Sequence, residues 1–570
     1  MRRVHRSLVL IVSSLAVISL VLGALFVVHL KPAHAASSAT YTATRGLLTA
    51  VGTSNPALAP AAAPTSPVAG APAKGARSRH AGAKVAAQTR PGGPALGGAA
   101  SSLGTSSAGA LLENFDGVSS LDSEQANFGA EFEPPDQGLC AGNGFVLEAV
   151  NSAFRIYRPN GTTVSGPFNV NVLYDEGLRQ FTSDPRCHYD APTHTWFATI
   201  LFISSLGGKG ITLTNKSHED LAVNTSGDPT TPWTVYQINT ADDGSAGMPN
   251  DSGCPCFGDQ PRLGLDANNI YISTDEFSIL GPQFNGTQIY AISKADLINH
   301  ANSIHIVHYS NLSDGGIQAF GVQPAITLGP ADAEYFLNAL DPDGTTDNRL
   351  GVWALTNGAA LSSGGVPTLS NVVIGSETYG VPPNAVQQGS SSLINTGDDR
   401  MQQVEFINGQ LWGALDTALT ITGDTDVRSA AAWFTVQPHL SGQVIGSATL
   451  SAQGYVASTG NYLSYPAIAV TGNGTAAIVM TLSGATFFPS AVYTVMRSGH
   501  GSFGSLNLAA AGTGPYALDS SRWGDYSWAI PDPSGNSFWM ATEYVPPLSS
   551  QTPDRFSNWG TRVLEVSASK

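Results

Sequence analysis

Acid–arginine pairs recur along residues 136–570: Asp184-Pro185-Arg186, Asp259-Gln260-Pro261-Arg262, Asp398-Asp399-Arg400 and Arg522-Trp523-Gly524-Asp525. A carboxylate accepts hydrogen bonds from sugar hydroxyls, and a guanidinium fork grips a carboxylate with two parallel bonds. Brought to one place, Asp184, Arg186, Asp259, Arg262, Asp398, Arg400, Arg522 and Asp525 would form a polar ligand-binding rim. Asp399 and Arg349 are the nearest additions. Acids and arginines in balance also neutralise one another, and an internal ion-pair ring that fixes register is the reading the balance favours.

Covalent chemistry has few candidates. Tyr526 and Glu543, with Asp525 beside them, are the residues that could serve as nucleophile, base and acid. Asp341, Asp343 and Asp347 space oxygen donors in the manner of a calcium loop around Gly344. The closing bidentate Glu is missing, so a plain acidic turn is the simpler expectation, and no other cofactor is expected. His300, His305 and His308 do not form a ligand set, because strand residues three apart face opposite sides. No phosphate-binding loop, dinucleotide glycine pattern, H-E-x-x-H or G-x-S-x-G stretch is present. Trp412, Trp433, Trp523, Trp528 and Trp539 are expected to pack between sheets rather than stack on sugars.

The elements that must position these residues repeat. Lead-ins at Asp136, Asp184, Asp259, Gln323, Asp398, Ser464 and Asp525 recur at intervals of roughly 50–75 residues, longer than compact propeller repeats. Each interval holds about four strand-like runs separated by Gly, Asn, Asp or Pro. One such unit cannot bury its own apolar face, so the units must stack. The expected fold is all-β: a β-propeller of about seven four-stranded blades, six being the alternative, over residues 111–570. A segment near Phe115–Val118 is expected to close the last blade.

Several stretches carry a resemblance. Pro134-Pro135-Asp136-Gln137-Gly138, Val150-Asn151-Ser152-Ala153-Phe154, Gly258-Asp259-Gln260-Pro261 and Arg522-Trp523-Gly524-Asp525-Tyr526-Ser527, followed by Phe538 to Tyr544, resemble exported bacterial proteins with sialidase-like propellers. The resemblance spans about residues 130–568 and implies fold and export, with no established activity. The chain departs from catalytic sialidases where they do chemistry. Arg155-Ile156-Tyr157-Arg158-Pro159 interrupts their Arg-Ile-Pro motif, and the spacings from Asp190 to Trp196 and from Asp532 to Trp539 are too long for their Asp box.

Composition sets the compartment. The 570 residues include 62 glycines and only 12% charged residues, which suits short strands and many turns. None of the 42 acids precedes Glu113, whereas ten of the 26 basic residues do. The later part is strongly acidic, which argues against nucleic acid as a partner. Arg2, Arg3 and Arg6, an apolar run over 8–30 and Ala33-His34-Ala35 read as a signal peptide over 1–35, or a signal anchor if uncleaved. Residues 36–110 read as a disordered Ala/Pro/Gly/Ser linker in which Tyr41 is the only aromatic. Cys140, Cys187, Cys254 and Cys256 are expected to form disulfides, with Cys140 and Cys187 on adjacent inner strands. Three pairings are open. The chain is thus expected to be a secreted or cell-surface monomer, touching a membrane only through an uncleaved anchor. It is expected to bind a glycan or surface protein at one channel mouth without transforming it, the alternatives being a sialidase-type hydrolase and a structural wall or matrix component.

Overall fold

Two-residue turns set the local structure. Asn143-Gly144 joins Gly138–Gly142 to Phe145–Ala149, and Asn408-Gly409 joins Met401–Ile407 to Gln410–Thr420. Both residues of each pair lie at positive φ. This turn matches the twist of the strands it joins, and Asn and Gly tolerate its backbone best. The computed structural model describes residues 38–58, 109–130, 132–206, 212–245, 249–340, 346–516, 522–551 and 558–568.

The antiparallel units so formed close into a ring. Their first strands are Gly138–Gly142, Phe181–Asp190, Cys256–Leu265, Gln323–Pro324, Met401–Ile407, Asn461–Val470 and Trp528–Pro531. Each touches the next, and the last touches the first. The fold is a β-propeller, as the sequence predicts. Cys256–Leu265 and Asn461–Val470 are buried at every residue, as strands with both faces covered must be. Trp196, Trp233, Trp353 and Trp559 fill the spaces between sheets and are fully buried.

The blade count departs from the expected seven separate sheets. Five sheets have four or five strands, and a sixth has ten. The fusion has a local cause. Gln323–Pro324 pairs within its own sheet, but the chain then leaves it. Ile326–Leu328 instead pairs in parallel with Leu265 on one side and Glu405–Ile407 on the other, joining a five-stranded run to a four-stranded one. The ring is closed by Leu111–Ser119, which pairs antiparallel with Gly560–Ser567.

The disordered linker expected over 36–110 needs correction at its start. Ala39–Tyr41, Ala43–Leu48 and Ala50–Ser54 are strands. They add to the outer edges of Thr368–Tyr379, Ile304–Tyr309 and Trp233–Asn239, respectively. Edge pairing uses backbone N–H and C=O groups, so a segment poor in apolar side chains can still join a sheet. Tyr41 anchors the segment: its ring lies 5.4 Å from Trp353, and its hydroxyl donates to Ser313 O. The signal or anchor segment at 1–35 and most of the remaining linker lie outside the described residues. Among the described residues no helix is long and apolar enough to cross a membrane.

Disulfides join Cys140 to Cys187 and Cys254 to Cys256. The first links two neighbouring innermost strands, as their equivalent positions suggest.

Candidate functional site

The innermost strands bulge where a proline interrupts them. In Phe181–Asp190 the ladder slips between Ser183 and Arg186, in Cys256–Leu265 between Asp259 and Arg262, and in Asn461–Val470 between Ser464 and Ala467. Proline offers no N–H to the ladder, so the extra residue bulges out and re-aims its neighbours. The residue before each proline is left-handed: Asp184 at φ 61°, Gln260 at φ 52° and Tyr465 at φ 57°. Such a backbone in a non-glycine residue costs about 1–3 kcal/mol and persists only where its surroundings fix it. Side chains from a neighbouring turn and a neighbouring strand supply that hold. Asp184 N–H donates to Asn151 Oδ1 (2.6 Å) and Tyr465 N–H to Asp416 Oδ1 (2.9 Å).

Around these bulges the predicted acids and arginines meet. Asp525 N–H donates to Asp136 Oδ1 (2.5 Å), Asn151 Nδ2 donates to Asp136 Oδ2 (2.7 Å), and Arg522 pairs with Asp525 (2.7 Å). Tyr526 O–H donates to Asp184 Oδ2 (3.4 Å). Arg186 is buried and donates to the carbonyls of Gln137 (3.0 Å) and Pro261 (3.2 Å). Arg262 pairs with Asp275 (2.7 Å), which also accepts from Thr287 and from the N–H of Gly321. Arg400 grips Asp398 through Nε (2.6 Å) and Nη2, with its guanidinium 4.8 Å from the Phe320 ring centre. Asp259 is buried and sits opposite Asp275 in the ladder. The solvent-facing part of this network is Arg522, Asp398 and Arg400, whose side chains are 22%, 25% and 12% exposed.

Crowding of acids shapes the electrostatics. Burial, with Asp525 and Asp184 nearby, raises Asp136 well above the usual carboxylate range. Burial likewise raises Glu543, against the hydrogen bond from Gly524 N–H to its Oε2 (2.5 Å). Arg522 is held charged: burial opposes its charge, but Asp525 and Asp136 outweigh that.

Other candidates fall elsewhere. Tyr526 and Glu543 have different hydrogen-bond partners, Asp184 and Gly524, so no hydrogen bond joins them as a nucleophile and base. Arg349 forms a two-bond pair with Asp347 (2.9 and 2.6 Å), away from the axial network, with Asp314 as its other acidic neighbour. That pair also engages one of the three calcium candidates; Asp341 and Asp343 lie outside the described residues. His305 pairs with Asp296, while His308 bonds Gln288 and His300 bonds Thr225. Trp433, Trp523, Trp528 and Trp539 are buried, as packing requires.

Asp275, Asn151, Gln260 and Tyr465 belong to the network but escape the sequence reading. The X-Pro step points to Gln260 and Tyr465, since it marks the bulge. Asp275 carries no such mark.

No protein family and no curated protein matches this chain. Among solved structures, it is similar to the Hadza microbial sialidase Hz136 (TM-score 0.34, 10% identity, 74% of this chain and 73% of that one). It is also similar to the Clostridium thermocellum exo-β-1,3-galactanase 1,3Gal43A (0.30, 10%, 77% and 94%). A third is Drosophila Plexin A in complex with Semaphorin 1b (0.34, 8%, 82% and 88%). These similarities bring neither an activity nor a substrate to this chain.

Proposed function

We propose that the protein is exported and binds a neutral, polyhydroxylated ligand, a glycan, at the mouth formed by Asp398, Arg400, Arg522 and Asp525, without transforming it. One observation carries this reading: the guanidinium groups already have partners inside the protein. Arg522 is held by Asp525, Arg400 by Asp398 and Arg262 by Asp275, while Arg186 is buried beneath Tyr526. A ligand carboxylate would have to displace those acids. Ligand hydroxyls can instead donate to the outward carboxylate oxygens and accept from the same arginines, leaving the pairs intact. The disulfides fit an oxidising compartment.

A glycan array probed with the purified protein tests the proposal. Binding to one or more neutral glycans, lost in Arg400→Ala and Arg522→Ala but kept in Glu543→Gln, is the expected result. Binding only to acidic glycans, or to a surface protein and no glycan, would overturn it.

A hydrolase of sialidase type is the second reading, favoured by the raised carboxyls of Glu543 and Asp136, which a general acid needs. Turnover of fluorogenic glycosides that both Arg522→Ala and Glu543→Gln abolish would establish it in place of binding alone.

A further inference from the structure

The strand Thr212–Asn224 carries His218 and Asp220, two residues apart and therefore on one face. Glu176 follows the short 3-10 helix Val170–Tyr174 and reaches the same place, its backbone fixed by a bond from Glu176 N–H to Asn171 O (3.0 Å). His218 Nε2 lies 3.3 Å from Glu176 Oε1 and 3.2 Å from Asp220 Oδ1. One donor atom from each of the three residues falls within 4.8 Å of the others. We propose that Glu176, His218 and Asp220 form a binding site for a divalent transition-metal cation, zinc being the probe of choice. The site is separate from the axial network and does not depend on the glycan reading.

The spacing fits the ion. A tetrahedral centre with metal–nitrogen and metal–oxygen bonds of about 2.0–2.1 Å holds its ligand atoms about 3.3–3.4 Å apart. The donor set, one imidazole and two carboxylates, suits zinc and its first-row neighbours better than magnesium or calcium.

Charge and hydrogen bonding point the same way. The Asp220 side chain is wholly buried, and neither of its oxygens accepts a well-formed hydrogen bond. Its ion-pair contact is His218 Nε2, whose single proton also faces Glu176. One proton shared between two acceptors bonds each poorly, and one imidazolium cannot neutralise two carboxylates. A buried carboxylate left in that state is costly, and a cation among the three oxygens and nitrogen relieves it.

The surroundings hold the ligands in place. The Phe202 ring stacks on His218, with centroids 4.2 Å apart and planes 10° apart. Gln237 Nε2 donates to Glu176 Oε1 (3.0 Å). Such outer contacts orient metal ligands and fix which atom faces the ion. The His218 and Glu176 side chains are 15% and 13% exposed, which leaves a path for entry and a coordination position for water. Tyr174 and Glu219 are the other titratable groups near Asp220. A metal takes the neutral imidazole, so binding must displace any proton on His218 Nε2 and affinity should rise with pH.

The test is calorimetric titration of zinc into chelator-treated full-length protein at pH 6.5 and 8.0, with a thermal-denaturation scan of each. One equivalent is expected to bind, at least tenfold tighter at pH 8.0, and to raise the melting temperature. Asp220→Asn and Glu176→Gln should each weaken binding at least tenfold. Asp220→Asn breaks the pair with His218, so the metal-free variant should melt somewhat lower than the parent, still cooperatively, and show no zinc-induced rise, which separates site loss from misfolding. Cobalt(II) should give visible absorption bands of a four- or five-coordinate ion in the parent and not in His218→Gln. No binding at pH 8.0, or equal binding by parent and Asp220→Asn, would overturn the proposal.

Discussion

The Arg186 guanidinium carbon lies 3.5 Å from the ring centre of Tyr526 and 5.1 Å from that of Trp528. A cation over an aromatic face is attracted by the ring quadrupole, most strongly where water is excluded. The pair therefore joins two innermost strands and their loops, because Arg186 is on Phe181–Asp190 and Tyr526 precedes Trp528–Pro531. It also accounts for a buried arginine without a direct carboxylate bond: aromatic faces and two carbonyls take that place.

Arg186→Ala should therefore be severe, costing about 2–5 kcal/mol, because it opens a cavity beneath Tyr526 and Trp528 and leaves the buried carbonyls of Gln137 and Pro261 without their donor. Tyr526→Phe keeps the ring and loses only a 3.4 Å hydrogen bond, so it should cost about 1 kcal/mol or less. Urea unfolding midpoints of the two variants check this. Equal losses would mean that the hydroxyl, not the ring, carries the contact.

The N-terminal strands give a second expectation. Deleting residues 38–54 uncovers the edges of Trp233–Asn239, Ile304–Tyr309 and Thr368–Tyr379. Uncovered edges pair with other chains. Light scattering should show concentration-dependent self-association absent from the intact protein. Tyr41→Ala removes the Trp353 contact alone and should give a milder form of the same defect.

Stability should peak in mild acid. Burial, with Asp251 and Asp243 nearby, pushes the Asp242 carboxyl up to about 8, and burial raises Asp220 to about 6. These acids hold protons in the folded state that the unfolded chain releases from about pH 4 upward, so stability falls as pH rises toward those values. The stabilisation from His218, at about 9, is full below its ordinary 6.5 and is lost as pH rises to 9. His188 and His308, lowered by burial to about 4 and about 3, act oppositely and cost stability as pH falls below 6.5. Asp136 and Glu543, raised in the same way, add to the acids' downward slope and outweigh the two histidines, so the maximum lies on the acid side of pH 6.5 and His218 steepens the fall above it, each titrating group contributing about 1.4 kcal/mol per pH unit. Denaturant midpoints measured in chelator from pH 5 to 9 check this, and His218→Gln should flatten the alkaline side. A midpoint that rises between pH 6.5 and 9 contradicts it.

What the sequence makes legible follows from what repeats in it. Proline must interrupt a ladder, so Pro185, Pro261 and Pro466 mark the inner-strand bulges and, through them, the axial residues. Arg522 and Asp525 are three residues apart, so their pairing is local. Arg262 finds Asp275 thirteen residues away across a hairpin bulge, and spacing alone does not reveal such a partner. The strands at 39–54 are silent because their pairing is made by backbone. The period-two spacing of His218 and Asp220 is visible, but the third member, Glu176, comes from a different element. The joining of two blades through Ile326–Leu328 depends on where a three-residue strand departs after Pro324, which no residue type dictates.

The two disulfides should differ in what they contribute. Cys140 and Cys187 are 47 residues apart, and Cys254 and Cys256 only two. If a cross-link acts mainly by restricting the unfolded chain, the longer loop stabilises by about 4 kcal/mol and the short one by about 1–2 kcal/mol. The short one has a local role instead: Asn285 Nδ2 donates to both sulfurs, at 3.2 and 2.9 Å, tying the Cys254-Pro255-Cys256 turn to the strand Phe284–Ser293. Replacing Cys140 and Cys187 together by Ala should therefore lower the urea midpoint strongly with the unfolding still cooperative, because Leu111–Ser119 keeps the ring closed. Replacing Cys254 and Cys256 should lower it little and raise amide exchange mainly near residues 249–256. Comparable losses of midpoint from the two double variants would show that native contacts around the sulfurs, rather than loop length, set the contribution.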